Sequence, residues 1–114
     1  MWLIYHNSPF ILKTIFLKKN TRTSLQFHKE KEEANLIISG SAKLYYEDAR
    51  NKKIKYTNLQ KGHIILIKPN TLHRFEALTD LLMIEVSTPQ VDYVIRVSDD
   101  YNRPSGLIIS EHNT

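Results

Sequence analysis

The sequence predicts an all-β protein of a single domain, and three observations support this fold class. Its 114 residues suffice for one hydrophobic core and leave no room for a second. Apolar residues occur in short runs or alternate with polar ones, and turn-forming or charged residues separate the runs. No segment longer than one turn shows sustained helical periodicity. Many short strands at this spacing predict a sandwich or a closed double sheet.

The predicted strands follow one another along the chain, each bounded by glycine, proline, asparagine or charged residues. In chain order they are Phe10–Leu17, Thr23–His28, Glu33–Ser39, Ala42–Glu47, Ile54–Leu59, His63–Ile67, His73–Ala77, Leu81–Ser87 and Val91–Val97. Gly40 ends the third strand, the polar segment Asp48–Lys53 forms a hairpin tip, and Pro69 with Asn70 forms a later turn. The apolar triplet Leu107–Ile109 is predicted to add an edge strand to this domain or to a partner, and it indicates a homodimer.

Composition narrows the classes of function. The net charge is +4, but the 16 basic residues are interspersed with 12 acidic ones, so no nucleic-acid partner is expected. The surplus of positive charge is better suited to attracting a small anionic molecule. The absence of cysteine excludes disulfides and thiolate metal ligands. All apolar runs are of strand length, so we expect no membrane partner and no secretion, and a cytoplasmic location.

Four side chains form a candidate site for one divalent metal ion. Gln26 and His28 point to the same face of an extended strand. Glu33 opens the next strand after a charged turn, and His73 opens a later one, so both can approach the same interior. Glu30 also alternates with His28, which makes it an alternative to Gln26 as the fourth ligand.

These residues stand in two segments that resemble the paired motifs of the cupin superfamily. Glu33, six intervening residues and Gly40 match the first motif, and Gly62, Pro69 and His73 match the second. Asn70 stands where the turn glycine is usual, and asparagine tolerates the left-handed conformation.

The closer resemblance is to the isomerase domain of type II mannose-6-phosphate isomerases, which has glutamine-x-histidine in the first motif. The stretch Ser24–His28, then Glu33 and Ile38–Lys43, carries this resemblance, which extends to the tail Val94–Arg103. It implies a cupin jelly-roll β-barrel over residues 1–103, followed by a tail at 104–114. It also implies one divalent ion, for which zinc, manganese, iron, nickel and cobalt remain open.

A second group of residues is expected to act on the substrate. Glu85 is a carboxylate within an apolar strand, where burial raises the pKa toward proton transfer; the alternative is an edge strand that faces water. Lys13 matches a basic position of the family and is the alternative acid or base. Arg96 and Arg103 match its tail arginines and would bind an anionic group.

Three neighbouring residues are expected to stay outside the site. Arg74 should point away from it, since it follows His73 in a strand. Lys31 and Glu32 are expected to form a solvated turn.

These parts predict a metal-dependent isomerase of a phosphosugar or a nucleotide-linked sugar. The ion would stabilise an enediolate while Glu85 or Lys13 moves a proton between adjacent carbons. A non-catalytic sugar-binding or regulatory cupin is the alternative, because a small chain can leave an open pocket. An iron-dependent oxygenase is a third possibility, since two histidines and a carboxylate also match the iron facial triad.

Overall fold

Eleven strands make up the described part of the protein. The structure, a computed structural model, describes residues 2–5, 10–88, 93–98 and 106–109. The strands are β1 (Trp2–Tyr5), β2 (Ile11–Leu17), β3 (Leu25–His28), β4 (Glu33–Ser39), β5 (Ser41–Glu47), β6 (Ile54–Gln60), β7 (Ile64–Ile67), β8 (His73–Ala77), β9 (Leu81–Ser87), β10 (Tyr93–Ser98) and β11 (Gly106–Ile109). Within these ranges there is no helix, and hence none long and apolar enough to span a membrane.

The strands form two sheets of a jelly roll. One sheet has five strands in the order β1-β2-β9-β4-β7, and the other has six in the order β11-β10-β3-β8-β5-β6. All recorded strand pairs are antiparallel. In the described residues the sheets are not hydrogen-bonded to each other into a closed barrel. The predicted all-β jelly roll is therefore confirmed, as two open sheets.

The predicted strands are found with small shifts at their ends, but the sequence did not predict β1. This strand has four residues, and it is defined by its pairing with β2, in which Trp2 lies opposite Thr14. Such a short run carries little periodicity of its own. At the other end of the chain, β11 pairs with β10 at the edge of the six-stranded sheet. The C-terminal apolar triplet lies in this strand.

Two of the turns that contain a residue with left-handed backbone conformation were singled out from the sequence. Asn70 has φ of 62°, so asparagine accepts the conformation expected of it at this turn. Gly40 has φ of 91° between β4 and β5, and a Cβ atom built there would lie 2.1 Å from the carbonyl oxygen of Asp80. Only glycine fits at this position, because both the conformation and the space exclude a side chain.

The interior is apolar at one end and polar at the other. Inward residues along β9 change from Leu81 and Met83 to Glu85 and Ser87, all of them buried. The same change occurs along β4 and β8, and most of the hydrophobic core lies at the apolar end. This core comprises Ile37, Ala42, Leu44, Leu59, Ile67, Phe75, Ala77, Leu81 and Met83. The polar end therefore holds buried charges whose burial has to be explained by mutual pairing or by a ligand.

Candidate functional site

Two histidines and one glutamate meet at the polar end. Glu33 begins β4, and its Oε1 lies 3.4 Å from Nε2 of His73, which begins β8 in the opposite sheet. Its Oε2 lies 3.9 Å from Nε2 of His28 at the end of β3. All three side chains are buried, and the two imidazole rings have their centroids 6.3 Å apart. The structure thus brings together three of the four predicted metal ligands across the two sheets.

Hydrogen bonding orients the His73 ring toward Glu33. Its Nδ1–H donates to the carbonyl oxygen of Thr71 at 2.8 Å, so that Nε2 faces the carboxylate. A backbone partner of this kind is typical of histidines that ligate metals through Nε2. Burial lowers the pKa of His73, but the hydrogen bond and the charge of Glu33 outweigh it and raise the pKa above 6.5.

Glu33 stays ionised over most of the pH range. Burial by itself raises the pKa of its carboxyl group. The hydrogen bond with His73 and the charges of His73, His28 and Lys31 overcome this effect and lower the pKa to about 2. The carboxylate is therefore available as an anionic ligand at neutral pH.

The donor set fits a divalent ion in type, although the side chains do not stand in a finished coordination geometry. In the described ranges, no group of three or more His, Asp or Glu side chains is arranged so that it could hold a metal ion. Two imidazoles and a carboxylate suit zinc, iron and manganese. Two ligands of one tetrahedral ion are separated by about 3.4 Å, as Glu33 and His73 are, whereas His28 would have to move closer to Glu33. The metal site stays a prediction that these contacts support.

Gln26 and Glu30, the two alternatives for the fourth ligand, lie in different surroundings. Gln26 lies directly opposite His73 on one side and Arg96 on the other, so these three residues share one face of the six-stranded sheet. Its Oε1 accepts a hydrogen bond from Ser24 Oγ. Glu30 is exposed in a bend beyond the end of β3. The structure favours Gln26 as the residue near the two histidines.

Glu85 is buried in the five-stranded sheet between two lysines. Its strand β9 lies between β2 and β4, so it is not at an edge. Its Oε2 lies 3.4 Å from Nζ of Lys13 and 3.2 Å from Nζ of Lys31. Burial and the charge of Glu33 raise the pKa of Glu85, while the two lysines lower it. Glu85 and Lys13 thus both occupy the interior, and the water-facing alternative for Glu85 is wrong.

The prediction that Lys31 belongs to a solvated turn is also wrong. Only 3% of its surface is exposed, because its side chain runs inward to Glu85 although its backbone lies between two strands. The alternation of lysine and glutamate in residues 29–33 resembles a surface segment and conceals this burial. A buried lysine with an acidic partner in another strand is visible only in the tertiary structure.

The arginines divide into three cases. Arg96, predicted to bind an anionic group, is buried on the face that carries Gln26. Arg74 follows His73 in β8, and its Nε donates to the carbonyl oxygen of Thr23 at 3.0 Å. Arg103, the other predicted anion-binding residue, lies outside the described residues.

Two buried polar residues in the same interior were not singled out from the sequence. Asn35 lies opposite Glu85 in the β4–β9 pair, and Ser87 lies opposite Glu33 in the same pair. Both are at least 98% buried. Strand alternation could have identified Asn35. Glu33, Asn35 and Ile37 occupy alternate positions of β4, so the amide of Asn35 lies on the same inward face as the apolar Ile37.

Comparison with known proteins provides a family match for nearly the whole chain. Residues 3–102 match the family model described as mannose-6-phosphate isomerase C-terminal. No similar sequence was found among curated proteins.

Solved structures with the same fold carry names of different kinds. KdgF from Halomonas sp. shares 16% identity with a TM-score of 0.66 over 77% of this chain and 76% of its own. A putative sugar phosphate isomerase from Acidithiobacillus ferrooxidans shares 16% with a TM-score of 0.65 over 78% and 56% of the two chains. An oxalate oxidase shares 12% with a TM-score of 0.71 over 78% and 46%.

These likenesses concern the fold alone. The chain spans only 25% of the length of another match, CapF, and 57% of peruvianin-I. Matches with such different names share a double-stranded β-helix scaffold, and the activity depends on the side chains placed in it.

Proposed function

Because the chain belongs to the mannose-6-phosphate isomerase C-terminal family, we propose that it is a metal-dependent isomerase of a phosphosugar or a nucleotide-linked sugar. The observation that carries the proposal is the buried cluster in which Glu33 contacts His28 and His73 while Glu85 lies nearby between two lysines. A metal-type donor set beside a carboxylate of raised pKa supplies the two parts that an aldose–ketose isomerisation needs.

The metal would be held by His28, Glu33 and His73, with Gln26 as the fourth ligand. When bound, a divalent ion supplies a Lewis acid that polarises the carbonyl group of an open-chain sugar. The protein orients the donors: Thr71 holds the His73 ring through Nδ1, and Ser24 donates to the Gln26 amide oxygen. These hydrogen bonds can keep the side chains of His73 and Gln26 oriented before the ion binds.

Glu85 is the proposed proton-transfer residue. Its carboxylate would take a proton from one carbon of the substrate and return it to the adjacent carbon. Burial and Glu33 raise the pKa of Glu85, which makes it a stronger base than an exposed glutamate. Lys13 and Lys31 hold the carboxylate in place through Oε2, and either ammonium group can stabilise negative charge as it develops on a substrate oxygen.

The positive charges of the interior favour an anionic substrate. Lys13, Lys31 and Arg96 are buried with Glu33 and Glu85, so these five side chains carry three positive and two negative charges when all are ionised. A bound divalent ion would add two more positive charges. The guanidinium of Arg96 is suited to bind the phosphate or pyrophosphate end of the substrate.

Elemental analysis and activity together test the proposal. Protein purified without chelator should contain about one divalent ion per chain, and His28→Ala and His73→Ala should each lose it. With metal restored, the wild type should interconvert an aldose phosphate and its ketose, such as mannose 6-phosphate and fructose 6-phosphate. Glu85→Gln should lower kcat by about 100-fold or more while it retains the ion.

Glu76→Gln is the matched control, because Glu76 lies on β8 and its carboxylate accepts a hydrogen bond from Tyr45 rather than contacting the cluster. It should retain activity. Sugar binding that survives in Glu85→Gln, without turnover by the wild type under any metal, would instead identify a binding protein. Turnover that requires oxygen and ferrous iron would identify an oxygenase.

A further inference from the structure

Asn35 and Ser87 are buried polar residues to which the proposed chemistry gives no task. Asn35 is 1% exposed and Ser87 is 2% exposed. Neither the amide nitrogen and oxygen of Asn35 nor the hydroxyl of Ser87 has a hydrogen-bond partner among the described residues. A buried amide without partners lowers stability, since it has given up its bonds to water. Such groups call for an explanation, and a ligand that pairs with them is one.

Both residues lie in the interior, next to the two carboxylates of the cluster. Asn35 lies beside Glu85 across the β4–β9 pair, and Ser87 lies beside Glu33. Lys13 is the next residue in the row of Asn35 and Glu85, because it lies opposite Glu85 on the other side of β9. The two unpartnered groups are thus diagonal neighbours, with Cα atoms about 7–8 Å apart. They flank the two carboxylates of the cluster.

We propose that Asn35 and Ser87 form a subsite that binds hydroxyl groups of an open-chain polyhydroxylated ligand. An amide can donate and accept, and a serine hydroxyl can do both, which matches the paired donor and acceptor character of a sugar hydroxyl. Two such groups on diagonal positions can pair with hydroxyls a few carbon atoms apart. The subsite rests on the proposed function for the identity of its ligand as a sugar, and it selects hydroxylated over deoxygenated substrates.

Binding of two reduced sugar phosphates tests the subsite without turnover. Glucitol 6-phosphate and its 2-deoxy analogue, made by reduction of the corresponding aldose phosphates, contain no carbonyl group and cannot be isomerised. Calorimetry on the metal-loaded wild type should show about tenfold weaker binding of the deoxy analogue, which is typical of one lost hydrogen bond. Asn35→Val should bind both probes alike, at the weaker affinity. Ser87→Ala, a smaller change that leaves the sheet intact, should weaken binding of glucitol 6-phosphate.

Thermal unfolding of the unliganded protein provides a second readout. If Asn35 stabilised the fold, Asn35→Val would lower Tm, whereas the proposed subsite predicts a higher Tm. Asn35→Val removes two unpartnered polar atoms, so it should raise Tm. Asn58→Val on β6 is the matched control for the strand preference of valine, because Asn58 is exposed in its strand. Tm of Asn35→Val should exceed that of the wild type by more than Tm of the control does.

The outcomes separate the subsite from the proposed function. A lower Tm in Asn35→Val together with unchanged discrimination between the probes would overturn the subsite. No binding of either probe by the metal-loaded wild type would overturn it as well. Discrimination that depends on Asn35, in a protein that isomerises no sugar phosphate, would support the subsite and refute the isomerase.

Discussion

At the scale of single residues, Glu33 connects the two halves of the candidate site. Its carboxylate contacts both histidines, and its charge raises the pKa of Glu85. It lies on the five-stranded sheet, whereas His28 and His73 lie on the six-stranded one. Any change at Glu33 is therefore expected to affect metal binding and the proton-transfer residue together.

Replacement of the carboxylate by an amide should affect metal affinity at Glu33 but not at Glu30. Glu33→Gln is expected to lower the affinity for a divalent ion by about tenfold or more, since it removes the anionic ligand between the histidines. Glu30→Gln is the matched control, because Glu30 is exposed beyond β3. Titration of chelator-treated protein with zinc or manganese measures both. Equal loss of affinity in the two variants would contradict the assignment of Glu33.

Metal binding should release protons at acidic pH. An imidazole must be neutral to ligate an ion, and the pKa of His73 is raised above 6.5 by Glu33. Below that pKa the ion has to displace a proton, so affinity falls as pH falls; above it the affinity no longer depends on this group. Calorimetry in buffers of different ionisation enthalpy, repeated as pH is raised from 6, should find that fewer protons are released per ion once pH exceeds the pKa of His73. Proton release that stays constant over the whole series would refute this linkage.

At the scale of elements, β4 and β9 supply one wall of the site and part of the core. Each contributes polar inward residues at one end and apolar ones at the other, as Asn35 and Ile37 do in β4. Their pairing depends on register, because a shift of one residue would turn every inward side chain outward. The turn after β4 ends this pairing, and it depends on Gly40.

Alanine substitutions at two glycines should differ in their effect on stability. Gly62→Ala should lower the free energy of unfolding by about 1–2 kcal/mol, because Gly62 has φ of 90° but nothing within 4 Å of a new Cβ. Gly40→Ala adds the clash with the Asp80 carbonyl oxygen and should lower it by about 1–3 kcal/mol more. Chemical denaturation measures both. Equal losses would show that the backbone of Asp80 moves aside without cost.

At the scale of the whole molecule, the outer face of the five-stranded sheet carries a continuous apolar surface. Its members project from β2, β9, β4 and β7 and lie in neighbouring rows of the sheet. They are Leu12, Phe16, Ala34, Leu36, Ile64, Leu66, Leu82, Ile84 and Val86. A contiguous apolar surface of this kind typically marks an interaction site. We propose this surface as the interface of the expected homodimer. Two copies, each of net charge +4, can meet at these apolar side chains without bringing like charges into contact.

A single charge in that outer face should prevent self-association. The wild type is expected to sediment at about twice the chain mass of 13.4 kDa, and Ile64→Glu should sediment as a monomer, since it buries like charges in both copies. Ile54→Glu is the matched control, because Ile54 is an exposed isoleucine on β6, the edge strand of the other sheet. Dimers that persist in Ile64→Glu and dissociate in Ile54→Glu would place the interface on the six-stranded sheet.

Short-range patterns in the sequence were sufficient for most of the strands, whereas they left open whether Glu85 faces the interior or water. Strand parity and turn residues act over a few positions, so they can be read without a tertiary structure. The same patterns failed where a contact joins distant segments. The pairing of β1 with β2 and the inward course of Lys31 toward Glu85 depend on which strands become neighbours.

The sequence by itself determined the all-β class, most of the strands and the types of donor available for an ion. Only the tertiary structure decided which of these groups meet. Antiparallel pairing places Gln26 between His73 and Arg96, and it places Asn35 and Ser87 beside Glu85 and Glu33. The physical reason is that a buried polar side chain is stabilised by partners far away in the chain, and the order and register of the strands decide which partners it meets.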